Sequence, residues 1–227
     1  MTKLTYLPTS AFKFLKDLKK NNNREWFAQN KPRFQEEYAH LKNFGNTLLN
    51  EMSKIDNIEQ VKFFRIYRDV RFSKNKAPYK QHFAGSLTRA TAKLRGGYYF
   101  HFEPENCFLA GGFWDPNSPD LKRIREEIAI DDQPLRKIIA SAKFKKTFGT
   151  LEGNQLKTAP RGFAKDHPAV DLLRYKQFIV IRKFTDQEAA DPNFLKEVIK
   201  TYKAMRPFFD YMSEVLTTDS NGVSIID

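Results

Sequence analysis

Residues 65 to 80 read Arg65-Ile66-Tyr67-Arg68-Asp69-Val70-Arg71-Phe72-Ser73-Lys74-Asn75-Lys76-Ala77-Pro78-Tyr79-Lys80, six cationic side chains against one carboxylate. Asp69 alone cannot neutralise three guanidinium groups. Guanidinium forks match phosphate and carboxylate oxygens two at a time, and ammonium groups add point charge. Arg65, Arg68, Arg71, Lys76 and Lys80 are therefore the candidate anion-binding residues, with Asp69, Asn75, Tyr79 and Glu25 in support. The competing reading is structural: Arg65, Asp69 and Arg71 pair across a sheet with Glu25 or Glu103, and Lys74 to Lys80 are simply solvated.

Proton chemistry has fewer candidates. His101 and Glu103 fall on one strand face with Tyr99, and a histidine near arginines can act as general acid or base. Tyr79 and Asp69 are the other candidates for proton transfer. A lone His-x-Glu pair is too short a pattern to specify a metal, so no metal site is assigned, and the sequence names no cofactor. Glu25 at a helix start suits a partner for a buried arginine, and Trp26 suits core packing. Gly96-Gly97 and Gly111-Gly112 fit strand ends rather than a phosphate-binding glycine loop. Ser73, Ser86 and Cys107 lack a paired base, and Cys107 reads as a buried small hydrophobe.

These residues need elements to carry them. Thr9-Ser10 caps a helix with Phe14, Leu15 and Leu18, ended by Asn21-Asn22-Asn23, and Asn23 caps the next turn. Pro32 opens a longer helix whose Phe34, Tyr38, Leu41, Gly45, Leu48, Met52 and Ile55 form one stripe. From Val61 the period becomes two, which predicts a half-buried strand with Phe64, Ile66, Val70 and Phe72 on one face and Arg65, Tyr67, Asp69 and Arg71 on the other. Ala77-Pro78 makes residues 73 to 80 a loop. Strands follow at His82 to Leu87, Gly97 to Glu103 and Cys107 to Phe113, the last two joined by a turn at Pro104-Glu105-Asn106. Helices start at Ser118 and Pro134, and irregular chain runs from Gly149 to His167-Pro168. A short helix through Val170, Leu172 and Leu173 precedes a strand at Gln177 to Phe184, apolar enough to be central. Thr185 and Glu188 form a capping box, and a long helix from Pro192 is expected to kink or split at Pro207. The fold class is α+β: a mostly antiparallel sheet of about five strands packed against helices from the N- and C-terminal parts.

The net charge of +12 is unevenly placed. Residues 61 to 100 hold 10 basic and 1 acidic side chains, residues 1 to 60 hold 10 and 7, and residues 101 to 227 hold 19 and 19. Positive potential is concentrated in forty residues, as a local anionic partner requires. With 227 residues, 41% of them hydrophobic, one folded domain spanning 1–227 is expected, with 217–227 a loosely ordered tail. A single cysteine, no signal-like N-terminus and no long apolar run point to a cytoplasmic protein of bacterial type and to no membrane partner.

Arg65, Arg68, Asp69, Arg71 and Phe72 followed by Asn75, Lys76 and Tyr79 match Arg-x-x-Arg-Asp-x-Arg-Phe and Asn-Lys-x-x-Tyr. In these motifs the chain resembles the mainly bacterial family Domain of Unknown Function two-four-six-one. Asn23-Arg24-Glu25-Trp26-Phe27 and the stretch from Ala159-Pro160-Arg161-Gly162-Phe163 to His167-Pro168 extend the resemblance along the full length. It implies boundaries and a motif, and no activity.

Three functions compete. An enzyme or sensor would bind a phosphate-bearing or other anionic small molecule through the arginines. A non-enzymatic nucleic-acid binder would add stacking by Phe72, Tyr79, Phe83, Tyr98 and Tyr99. A partner-binding module would use the arginines as internal scaffold. The first best explains the arginine bias; oligomeric state is left open.

Overall fold

The computed structural model describes residues 4–219 and 221–226. In chain order the elements are α1 Thr9–Lys20, α2 Arg24–Gln29, α3 Lys31–Met52, β1 Ile58–Phe63, β2 Phe83–Arg89, β3 Gly97–Phe102 and β4 Cys107–Phe113. There follow α4 Ser118–Ile130, α5 Gln133–Ala140, α6 Ala142–Phe148, α7 Val170–Leu173, β5 Phe178–Phe184, α8 Asp186–Ala189 and α9 Phe194–Thr217. The five strands form one antiparallel sheet in the order β1-β2-β3-β4-β5, an α+β fold. No helix among the described residues is long and apolar enough to cross a membrane.

The chain divides into two compact units, each built from several segments. The first comprises Met1–Thr88, Tyr99–Leu109 and Lys183–Lys200. Here α1 and α3 bury their apolar stripes: Phe14, Leu15, Leu18, Leu41, Phe44, Leu48 and Met52 are fully enclosed. Phe44 meets Phe100, Phe102 and Phe194 with ring centroids 5.4 to 6.2 Å apart. A side chain at Gly45 would collide with the Phe63 ring, so glycine is what lets α3 lie directly on β1. Asn23 caps α2 by accepting from the Trp26 amide, and Thr185 with Glu188 closes the capping box of α8, both as the residue types require.

The second unit comprises Arg89–Tyr98, Ala110–Arg182 and Thr201–Asp227. Tyr202, Met205, Phe208, Phe209 and Met212 of α9 are buried, and the rings of Tyr202, Phe208 and Phe209 pack on Tyr98 and Phe113. Pro207 does not split this helix, which runs unbroken from Phe194 to Thr217. The lost backbone donor is outweighed by the burial of Met205, Phe208, Phe209 and Met212 on either side, tertiary packing overriding local propensity.

β5 ends the strand order and is not central. Its apolar residues are buried because residues 150–156 lie along its outer edge: Glu152 and Ile179 exchange backbone hydrogen bonds of 2.7 and 2.9 Å. Gly153 makes that approach with φ +139°, where a Cβ would run into the Gln177 carbonyl. An irregular segment thus satisfies an edge that periodicity alone reads as a second neighbouring strand.

The largest departure from expectation is in the arginine motif. β1 stops at Phe63, and residues 64–72 are not strand. Ile66 is 2% exposed while Phe72, assigned to the same face, is 96% exposed. Local side-chain bonds compete with the ladder: Asp69 Oδ1 accepts from the Arg71 amide and Asn75 Oδ1 from the Ala77 amide, two-residue turns typical of Asp and Asn.

Candidate functional site

The motif forms an arm between β1 and β2, all within the first unit. Four contacts define it: Phe64 N–H donates to Ala84 O (3.0 Å), Lys80 N–H to Ile66 O (2.7 Å), Arg68 N–H to Pro78 O (2.9 Å), and Tyr67 bridges Tyr79. Its base is anchored by Tyr79, whose ring stacks on Phe27 at 3.9 Å. The Asn22 side chain brackets the Tyr79 backbone, donating to its carbonyl (2.9 Å) and accepting from its amide (3.1 Å).

The cations have unequal roles. Arg71 is held by the Asp69 carboxylate at 2.7 Å, and that contact keeps the Asp69 carboxyl below its ordinary range. Arg68 donates to Ala77 O and Ser73 Oγ, both at 3.3 Å, and Lys76 to Val70 O at 3.1 Å, so both close the arm. The side chains of Arg65 and Lys80 form no hydrogen bond or ion pair among the described residues. The Lys80 ammonium lies over the Phe64 ring at 5.6 Å. Burial lowers the Lys80 pKa, and the positive charge of Arg65 lowers it further.

Among the supporting residues, Asn75 shapes a turn, and Tyr79 is 5% exposed, its ring stacked on Phe27 and its hydroxyl pKa raised by burial. Asp69 is committed to Arg71. Glu25 is exposed in the first turn of α2 and pairs with no arginine, where a carboxylate is favoured by the helix terminus instead. The cross-sheet ladder linking Arg65 and Arg71 to Glu25 or Glu103 does not form.

Beside the arm's base lies a polar row on β3 and the residue that follows it. Tyr99 Oη is 2.9 Å from His101 Nδ1, and His101 Nε2 is 3.3 Å from Glu103 Oε2. Asn106 donates to the same Glu103 oxygen at 2.8 Å. The His101 ring is fixed between Phe108, stacked at 4.5 Å, and His82 at 4.2 Å. Burial raises the Glu103 carboxyl, but the bonds from Asn106 and His101 outweigh it and the pKa falls below its ordinary value. Burial lowers His101 against the pull of Glu103. His82 is lowered to about 4 by burial, then by His101 and Lys80, and Tyr99 is raised to about 12 by burial and then by Glu103. Cys107, raised to about 12 by burial, is not a nucleophile at neutral pH.

The structure thus brings Lys80, through the Phe64 ring, beside a hydrogen-bonded row that contains His101, sets Arg65 within electrostatic reach of Lys80 and Asp69, and leaves Arg71 and Phe72 exposed. His82 is the residue that sequence reasoning missed. It precedes β2 and meets His101 only through sheet pairing, which no local spacing reveals. Among the described residues no group of three or more His, Cys, Asp or Glu side chains is arranged to hold a metal.

A protein-family model described as "Conserved hypothetical protein (DUF2461)" matches residues 10–211. No curated protein and no solved structure matches the chain.

Proposed function

We propose a function from the site alone, since the chain belongs to the conserved hypothetical proteins of DUF2461, whose description carries no activity: it binds a phosphate-bearing or other anionic small molecule. Arg65 and Lys80 make the principal contacts, and Arg68, Arg71 and Lys76 shape and charge the arm. The carrying observation is that the Arg65 charge adds to burial in lowering the Lys80 pKa, while among the described residues neither side chain has an ion pair, Asp69 acting on Arg65 only at a distance. Holding like charges together costs free energy that a bound anion recovers, and the ring under Lys80 removes competing water.

A second reading rests on a different observation. Phe72 is 96% exposed beside Arg71, whose guanidinium sits 5.9 Å from its ring centre. An exposed aromatic next to cations is suited to stacking a base of single-stranded nucleic acid.

Melting temperatures of wild type, Arg65→Gln and Phe72→Ala against phosphate, sulfate, nucleotides, sugar phosphates, RNA and DNA separate the two. Stabilisation by a small phosphorylated compound, approaching ~2.7 kcal/mol at ~100 times its dissociation constant and lost in Arg65→Gln, supports the first. A shift only with polynucleotide, lost in Phe72→Ala and in high salt, supports the second and excludes the first.

A further inference from the structure

We propose that Tyr99, His101 and Glu103 act as a general-base relay that hydrolyses phosphate esters held at Arg65 and Lys80, a proposal that rests on the anion-binding reading above. The hydrogen bonds fix its polarity. Glu103 is ionised at neutral pH and can only accept, so His101 carries its proton on Nε2 and donates to Oε2. Nδ1 is then a lone-pair acceptor, and the Tyr99 hydroxyl donates to it across 2.9 Å. A hydroxyl, a base and a carboxylate that orients the base are the three parts of an activated nucleophile relay. His101 is 7% exposed and clamped between Phe108 and His82, while Tyr99 is half-buried, so a substrate reaches the phenol rather than the imidazole.

The Phe64 ring connects the two parts. It lies 6.0 Å from the Tyr99 ring and under the Lys80 ammonium, so the cation that holds the phosphate and the phenol that takes the proton flank one side chain. In the step, a water proton passes to Tyr99 Oη as the phenolic proton passes to His101 Nδ1. The water oxygen bonds to phosphorus and the ester P–O bond breaks, leaving its electron pair on the alkoxide. Return of the proton through Tyr99 releases the alcohol, so ester and water become phosphate and alcohol.

Around His101 the charged and titratable groups are Tyr99 on its own strand, Glu103 just after that strand and His82 ahead of β2, with Lys80 acting on His82; β4 presents the uncharged Phe108. Burial keeps the imidazole neutral at pH 7, and the rate should fall only on acidification below the ordinary histidine range.

The test is 4-nitrophenol release from bis(4-nitrophenyl) phosphate and 4-nitrophenyl phosphate, with calorimetric binding of inorganic phosphate in parallel. Wild type is expected to turn over. Tyr99→Phe and His101→Gln should lower kcat by about 100-fold or more while phosphate affinity stays within about twofold, and Lys80→Gln should raise KM. The imidazole nitrogen spectrum should show His101 protonated on Nε2 at pH 7. Phosphate binding without turnover, turnover that survives Tyr99→Phe, or a proton on Nδ1 overturns the relay and leaves the binding reading standing. Wild type that neither binds phosphate nor turns over overturns both.

Discussion

Arg65 and Lys80 are set apart from the other motif cations by what they do not touch. Arg71 has Asp69, Arg68 and Lys76 have backbone oxygens, and Arg65 and Lys80 act on each other as like charges, with Asp69 in reach of Arg65's field but not bonded to it. His82 extends the same frustration, and its consequence for stability can be signed. With its pKa lowered from 6.5 to about 4, His82 stays neutral in the folded chain while the unfolded chain takes up a proton. Above about pH 6.5 it contributes no pH dependence; as pH falls toward 4 it progressively favours unfolding. His82→Gln should flatten the loss of melting temperature between pH 6.5 and 4, measured by calorimetry, and an unchanged slope would show that His82 is not held neutral. This residue was invisible in the sequence because its partner is 19 positions away, whereas Tyr99, His101 and Glu103 were legible from period two alone.

At the scale of elements, turns and caps were readable where their signals are local. Pro104-Glu105-Asn106 fixes the hairpin of β3 and β4, Thr185 with Glu188 caps α8, and Pro32 lies in the first turn of α3, whereas Thr9-Ser10 falls inside α1, whose N-cap Pro8 makes no side-chain capping bond. The arm was misread because alternation of apolar and charged residues also arises when a loop folds back on itself, Ile66 inward and Phe72 outward. The short helix α6 gave no stripe long enough to detect, though Ser141 caps it by accepting from the Phe144 amide. The arm's position depends on Tyr79, a structural residue in a motif otherwise rich in charge. Tyr79→Ala should cost about 3 to 5 kcal/mol in denaturant unfolding, because the emptied space beside Phe27 cannot be refilled by exposed neighbours. A cost below 1 kcal/mol would mean that the arm docks by other contacts.

For the whole molecule, the uneven charge is the sequence feature that most directly motivates the proposed function. An excess confined to residues 61 to 100, beside a C-terminal stretch with equal numbers of both signs, is the feature on which the proposed attraction of anions rests. General attraction of this kind fades with salt, whereas a site built from Arg65 and a partly dehydrated Lys80 retains its ligand. The most direct test is to methylate the lysines with a carbon-13 label and follow the Lys80 ammonium by NMR titration, with and without phosphate and in Arg65→Gln. Lys80 is expected to titrate below its ordinary 10.5 in the free protein, and to move upward both when phosphate binds and when Arg65 is removed. A Lys80 that titrates with the other lysines and ignores phosphate would contradict the account.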